Sequence, residues 1–103
     1  MIKVTVLYPN SAGAKFDMKY YTSKHMPMVQ RTCGPPCKGI AAEQGVGGGQ
    51  PGSKPPYIAL CHLTFDSVEA FQKAFGPHAA EIMADIPNYT NVQPVIQISE
   101  VTL

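Results

Sequence analysis

The chain has 103 residues, room for one domain and one hydrophobic core rather than two. Charged residues make up only 15%, against about a quarter in ordinary globular proteins, so much of the surface is neutral or covered. A net charge of +1 with no Lys/Arg run offers no patch for a phosphate backbone, which argues against nucleic acid, and no apolar run approaches membrane-spanning length.

Met1 to Val4 goes directly into a strand pattern, without the charged-then-apolar layout of a signal peptide, and three cysteines are too few for a disulfide framework. A cytoplasmic location is the expectation. Ile2, Val4, Val6 and Tyr8 fall on one face of a strand over 2–8, with Lys3, Thr5 and Leu7 on the other. A helix is predicted from Phe16 to Gln30, with Phe16/Tyr20 and Tyr21/His25 as i, i+4 pairs. Pro27 interrupts it: the helix either ends near Lys24 or kinks and resumes with Pro27 in its first turn. Residues 38–46 read as a weaker strand with Ile40, Ala42 and Val46 on one face. Gly47 to Pro56 suits no regular element and reads as a mobile loop between strands.

Tyr57 to Phe65 is the clearest strand. Tyr57, Ala59, Cys61, Leu63 and Phe65 share one face, while Ile58 and Leu60 make the other partly apolar. Asp66 is placed as a helix cap with Glu69 three residues on; Val68, Phe71 and Phe75 follow as an inward stripe, and Gly76-Pro77 ends the helix. Ala79, Ile82, Met83 and Ile86 form a second short stripe closed by Pro87-Asn88. A last strand spans 93–102, where the phase change between Ile98 and Val101 suggests a bulge. The order β-α-β-β-α-(α)-β predicts a single α+β domain over residues 1–103, a ferredoxin-like βαββαβ fold with a four-stranded antiparallel sheet and helices on one face. Leu7, Ile58 and Leu60 on the other face favour packing against a second copy, hence a homodimer.

Phe16-Asp17-Met18-Lys19-Tyr20-Tyr21-Thr22-Ser23-Lys24-His25-Met26-Pro27 resembles the F-D-x-x-Y-Y-x-x-x-H-x-P signature of the EthD family. The Gly45 to Pro56 loop and Phe75 to Gln97, with its Pro77-His78, Asp85 to Thr90 and Gln93-Pro94 elements, look like the same family, so the resemblance covers essentially the whole chain. It implies a dimeric α/β barrel. The family takes its name from ethyl tert-butyl ether degradation, where its member accompanies an oxidative system, and members are often labelled reductases. Related dimeric barrels include cofactor-free monooxygenases, isomerases and dehydratases acting on small organic molecules; fold alone does not choose among them.

His25 is the leading candidate for chemistry, because imidazole exchanges a proton near neutral pH; the competing reading has it satisfying backbone carbonyls freed at Pro27. Tyr21, one turn earlier, would hydrogen-bond a substrate oxygen or orient the ring. Phe16, Tyr20 and Met28 are candidate pocket walls. His78 and Asp85 flank the last helical stripe and either pair in a pocket or belong to a solvated face, with Asp85 capping the turn at Pro87. His62 either lines a barrel interior or is a satisfied interface histidine. Cys33 and Cys37 lack two further zinc ligands and are read as incidental thiols, so neither metal nor cofactor is expected. The glycine-rich loop has no phosphate-cradle motif. The sequence thus favours a small cofactor-independent enzyme doing acid–base chemistry on a hydrophobic, oxygenated metabolite in an oxidative or degradative pathway. The alternative is a non-catalytic accessory protein that binds such a molecule.

Overall fold

Alternating apolar residues lay down the sheet. The computed structural model describes residues 1–103, with strands Ile2–Pro9 (β1), Gly39–Gln44 (β2), Tyr57–Phe65 (β3) and Val95–Glu100 (β4). They form one antiparallel sheet in the order β2-β3-β1-β4, the ferredoxin-like arrangement expected from the element order. Ile2, Val4 and Tyr8 of β1 and Ala59, Cys61, Leu63 and Phe65 of β3 are buried on the helix-covered face. Burying each large apolar side chain contributes about 1.5–3 kcal/mol, so these two central strands anchor the core. Lys3, Thr5 and Leu7 and their β3 partners Thr64, His62 and Leu60 point to the opposite face, which no element of the chain covers.

One helical segment runs from Met18 to Cys33 without a break. Asp17 caps it by accepting the Tyr20 N–H at 3.0 Å. An α turn, Met18–Tyr20 (α1), widens into a π-helical turn at Tyr21–His25 and resumes as Met26–Cys33 (α2). Pro27 has no N–H for the Ser23 carbonyl and its ring crowds that group, so a wider register is the natural accommodation. The Met26 N–H accordingly reaches five residues back, to the Tyr21 carbonyl. Pro27 does sit in the first turn of α2, but the helix widens there instead of breaking. Gly34, at φ 71°, ends it.

Beyond this helix the chain departs from the sequence reading in four places. Ser67 caps Val68–Phe75 (α3) instead of Asp66, accepting the Ala70 N–H at 3.1 Å. Val68 is 40% exposed, so the inward stripe reduces to Phe71 and Phe75, stacked on each other. Val46 lies beyond β2 and is fully exposed. β4 pairs with β1 in unbroken register from Val95 to Glu100, so there is no bulge; Val101 falls outside the strand, which accounts for the apparent phase change. A single turn at Gly76–His78 joins α3 to Ala79–Asp85 (α4), and another at Ile86–Asn88 closes it. The glycine-rich connection is held by backbone bonds, including Gly45 N–H to the Ile58 carbonyl. A β-carbon at Gly45 would collide with the Tyr57 carbonyl, so only glycine fits there. No helix is long and apolar enough to cross a membrane.

Candidate functional site

The π turn and the end of α4 are brought together by short-range ties. Asp17 N–H bonds the Tyr89 carbonyl, Phe16 and Thr90 form a β-bridge, and the Thr90 hydroxyl donates to the Lys15 carbonyl at 2.6 Å. These bonds clamp the segment after α4 against the start of α1. They set Asp85 and Tyr89 beside His25, a residue only 4% exposed. His25 Nδ1 lies 2.9 Å from Asp85 Oδ2, and its Nε2 lies 3.3 Å from the Tyr89 hydroxyl. The Tyr89 hydroxyl is in turn 2.6 Å from that of Tyr8 on β1. Asp85 Oδ1 accepts from the Tyr20 hydroxyl at 2.7 Å and from Asn88 Nδ2 at 2.9 Å.

This arrangement assigns the protons. An ionised carboxylate only accepts, so Nδ1 carries the imidazole proton and Nε2 presents a lone pair to Tyr89. Burial pushes the His25 pKa below its ordinary value, while Asp85 pulls the other way without prevailing. The ring is therefore neutral at neutral pH, with Nε2 free of a proton. Burial would raise the Asp85 carboxyl, but hydrogen bonds from Tyr20, Asn88 and His25 together hold it below the usual carboxylate range. Burial raises Tyr8 to about 12 and raises Tyr89 as well, so neither phenol ionises on its own.

Tyr8 and His25 face a cavity of about 40 Å³ between the sheet and the helices, otherwise walled by apolar side chains such as Met26, Val29, Leu63 and Ile82. Cys61 also lines it, and burial raises its thiol pKa. A dry wall with few convergent polar groups is the usual make-up of a small-molecule site.

The sequence candidates fall into three groups. His25 and Asp85 meet, although Asp85 pairs with His25 and not with His78. Tyr20 joins them through its hydroxyl, as a partner of Asp85 and not as pocket wall. Tyr21 is fully buried, its ring stacked on His25 with centroids 5.7 Å apart and planes 14° apart, and its hydroxyl has no hydrogen-bond partner. Phe16 packs edge-on against Tyr8 and Tyr21, and Met28 packs against the core; neither lines the cavity. His78 stands apart, 43% exposed and 4.0 Å from Glu81. His62 lies on the open face, 3.0 Å from the Thr5 hydroxyl and 3.8 Å from Glu43. Cys33, Cys37 and Cys61 are free thiols, and no three metal-ligating side chains converge. Tyr8 and Tyr89 are the members of this cluster that sequence reasoning misses. Tyr89 was legible in principle, since it sits four residues after Asp85 within the Asp85 to Thr90 stretch; Tyr8 carried only the signal of an inward strand position.

Comparison with known proteins gives the family and the fold. The sequence pattern of the EthD domain matches residues 12–93. An EthD-like protein from Ralstonia eutropha JMP134, known from its crystal structure, is 46% identical, with 99% of this chain and 92% of that one covered and a TM-score of 0.94. An uncharacterized 11.0 kDa protein from the thcB–thcC intergenic region of Rhodococcus erythropolis is 37% identical over 93 residues, 88% of this chain and 85% of the relative. A dimeric ferredoxin-like protein of unknown function from Thermobifida fusca shares the fold at 15% identity, with 97% and 90% covered and a TM-score of 0.64. With a domain match over most of its length and relatives at this level of identity, the chain belongs to the EthD family.

Proposed function

We propose that this protein is a homodimeric, cofactor-independent enzyme that moves protons on a small, apolar, oxygen-bearing molecule, with His25 as acid and base. The observation that carries the reading is the unbroken chain Asp85–His25–Tyr89–Tyr8, which runs from a carboxylate to an apolar cavity. In the forward step a proton on carbon beside a substrate carbonyl moves to the Tyr8 oxygen. Tyr8 passes its own proton to Tyr89, and Tyr89 passes its own to His25 Nε2. The substrate becomes an enolate, both phenols end neutral, and the imidazolium is stabilised by Asp85. A phenol raised to about 12 stays protonated near neutral pH and offers no standing phenolate, so Tyr8 serves by concerted relay. Returning the proton to another atom completes an isomerisation; returning it to a leaving hydroxyl completes a dehydration. Tyr21 orients the imidazole by stacking, and Tyr20 and Asn88 position Asp85. Membership of a family named for ether degradation supports a place beside an oxidative degradation system.

The test needs no knowledge of the natural substrate. Small enolisable aryl ketones are incubated with the protein in D2O and exchange at the α-carbon is followed by NMR. Wild type is expected to exchange at least one ketone, and His25→Gln to slow that exchange by about 10²–10⁴-fold. Ketones that bind both proteins without exchange would make the chain a binding accessory instead.

A further inference from the structure

The inner cavity is too small for its chemistry. About 40 Å³ admits a few water-sized groups, whereas small-molecule sites usually occupy about 300–1,000 Å³. A second space adjoins it, an open cleft of about 450 Å³ between the end of α4 and the approach to β4. The two share three residues, Met83, Ile86 and Pro94, which form both the outer wall of the cavity and the floor of the cleft. Ile86 is half-buried and Pro94 is rigid. Met83 is 40% exposed and unbranched, the one of the three whose side chain can swing aside without moving backbone.

The cleft also describes what it would hold. No charged residue lines it. Of its polar groups, the Thr90 hydroxyl is spent on the Lys15 carbonyl and the Val92 N–H, and the Asn91 amide on Lys15 N–H and the Gly13 carbonyl. Gln93 is exposed, and its amide is uncommitted. We infer that Met83 gates the passage between cleft and cavity, making them one site for a neutral, two-ended ligand: an apolar carbonyl-bearing head at Tyr8 and His25, and an uncharged hydrogen-bonding tail read by Gln93. This assignment rests on the reading of His25 as the reactive end.

The experiment labels histidines with diethyl pyrocarbonate, a small neutral reagent, and maps each site by mass spectrometry in wild type, Met83→Ala and Met83→Trp. His25, only 4% exposed, borders the cavity behind the passage, while His78, 43% exposed and lining neither space, is the internal control in each protein. Opening the gate in Met83→Ala is expected to speed His25 labelling by about fivefold or more, and Met83→Trp to slow it comparably, with the control unchanged. Equal His25 rates in all three proteins would overturn the gate. The ligand assignment is read by protection: para-(hydroxyethoxy)acetophenone should shield His25, its carboxylate analogue para-acetylphenoxyacetate should not, and Gln93→Leu should abolish the advantage of the hydroxyl tail. No shielding, or equal shielding by the carboxylate, overturns it. Because labelling does not depend on turnover, the gate can fail while ketone exchange persists, and exchange can fail while labelling still follows Met83.

Discussion

Asp85 and His25 are 60 positions apart, and each alone has an unremarkable local role, a helix end and a helix irregularity. Only the fold makes them a pair. The sharpest consequence at this scale separates the two tyrosines that contact His25. Tyr21 has a buried hydroxyl with no partner, so Tyr21→Phe removes an unsatisfied group and keeps the stacking ring. It is expected to leave stability unchanged or raise it by about 1 kcal/mol, with ketone exchange retained. Tyr89→Phe leaves Tyr8 and His25 Nε2 without their common partner. It is expected to destabilise by about 1–3 kcal/mol and to slow exchange by about 10²-fold. Calorimetry and NMR on both variants decide; exchange lost in Tyr21→Phe would mean that its hydroxyl engages substrate directly. The titration of His25 gives a second test. Its pKa is 6.5 when unfolded and lower when folded, so the unfolded chain binds more protons in the window between them. Stability is full above 6.5 and falls as pH drops through that window; Asp85, also lowered, adds a second loss of the same sign below 3.8. The melting temperature of wild type should therefore fall through the upper window while that of His25→Gln does not. Parallel curves would rule out a buried neutral imidazole.

At the level of elements, periodicity was enough to locate every helix and strand, because alternation and i, i+4 spacing act over a few residues. It failed where a side chain competes for a backbone group. Asp66 and Ser67 are both capable caps, and the choice between them depends on which φ/ψ the chain takes leaving β3. The π turn is the more consequential case. The sequence displayed its cause, Pro27, but a missing donor is equally compatible with a stop, a kink or a widened turn. Here the helix continues, and the Thr22 and Ser23 hydroxyls bond the Met18 and Lys19 carbonyls, occupying acceptors at the loosened turn. If Pro27 forces the wide register, Pro27→Ala restores a donor for Ser23 and permits an ordinary α turn. The variant should gain about 1 kcal/mol or more in stability, yet lose ketone exchange as His25 rotates away from Asp85 and Tyr89. Thermal melts and exchange rates measured together check this. A variant that is unchanged in both would show the π turn to be held by the site's own contacts rather than by proline.

Across the whole molecule, the pattern on β1 and β3 already indicated two faces with different fates. The helix-covered face is closed by residues of this chain over β1 and β3, with Ile96 and Ile98 of β4 still partly exposed, whereas no element of the chain covers the open face. Leu7 pairs with Leu60 on one side and with Val95 on the other, so three apolar side chains run in a row across β3, β1 and β4. Glu43 of β2 continues that row opposite Leu60, and its carboxylate lies 3.8 Å from His62, which bonds Thr5 in the neighbouring row, making a polar line across three strands. A row of this kind at the centre of an uncovered sheet favours burial against the same face of a second copy, with the polar line satisfied at the seam. Sequence alone reaches the homodimer as an expectation from size, low charge and the apolar Leu7, Ile58 and Leu60 on the second face, but the row exists only once register is fixed, because a one-residue slip would turn it inward. Leu60→Asp tests the assembly. It sets a carboxylate in the middle of the row and directly opposite Glu43 on β2, and dimerisation would have to bury both like charges at the seam. Wild type is expected to sediment as two chains at micromolar concentration, with a melting temperature that rises with concentration. The variant should sediment as one chain and lose that dependence, whereas Val46→Asp, at a fully exposed loop position, should behave as wild type. A wild type that stays monomeric at these concentrations, with a concentration-independent melt, would refute the open-face dimer and leave the His25 site to act within a single chain.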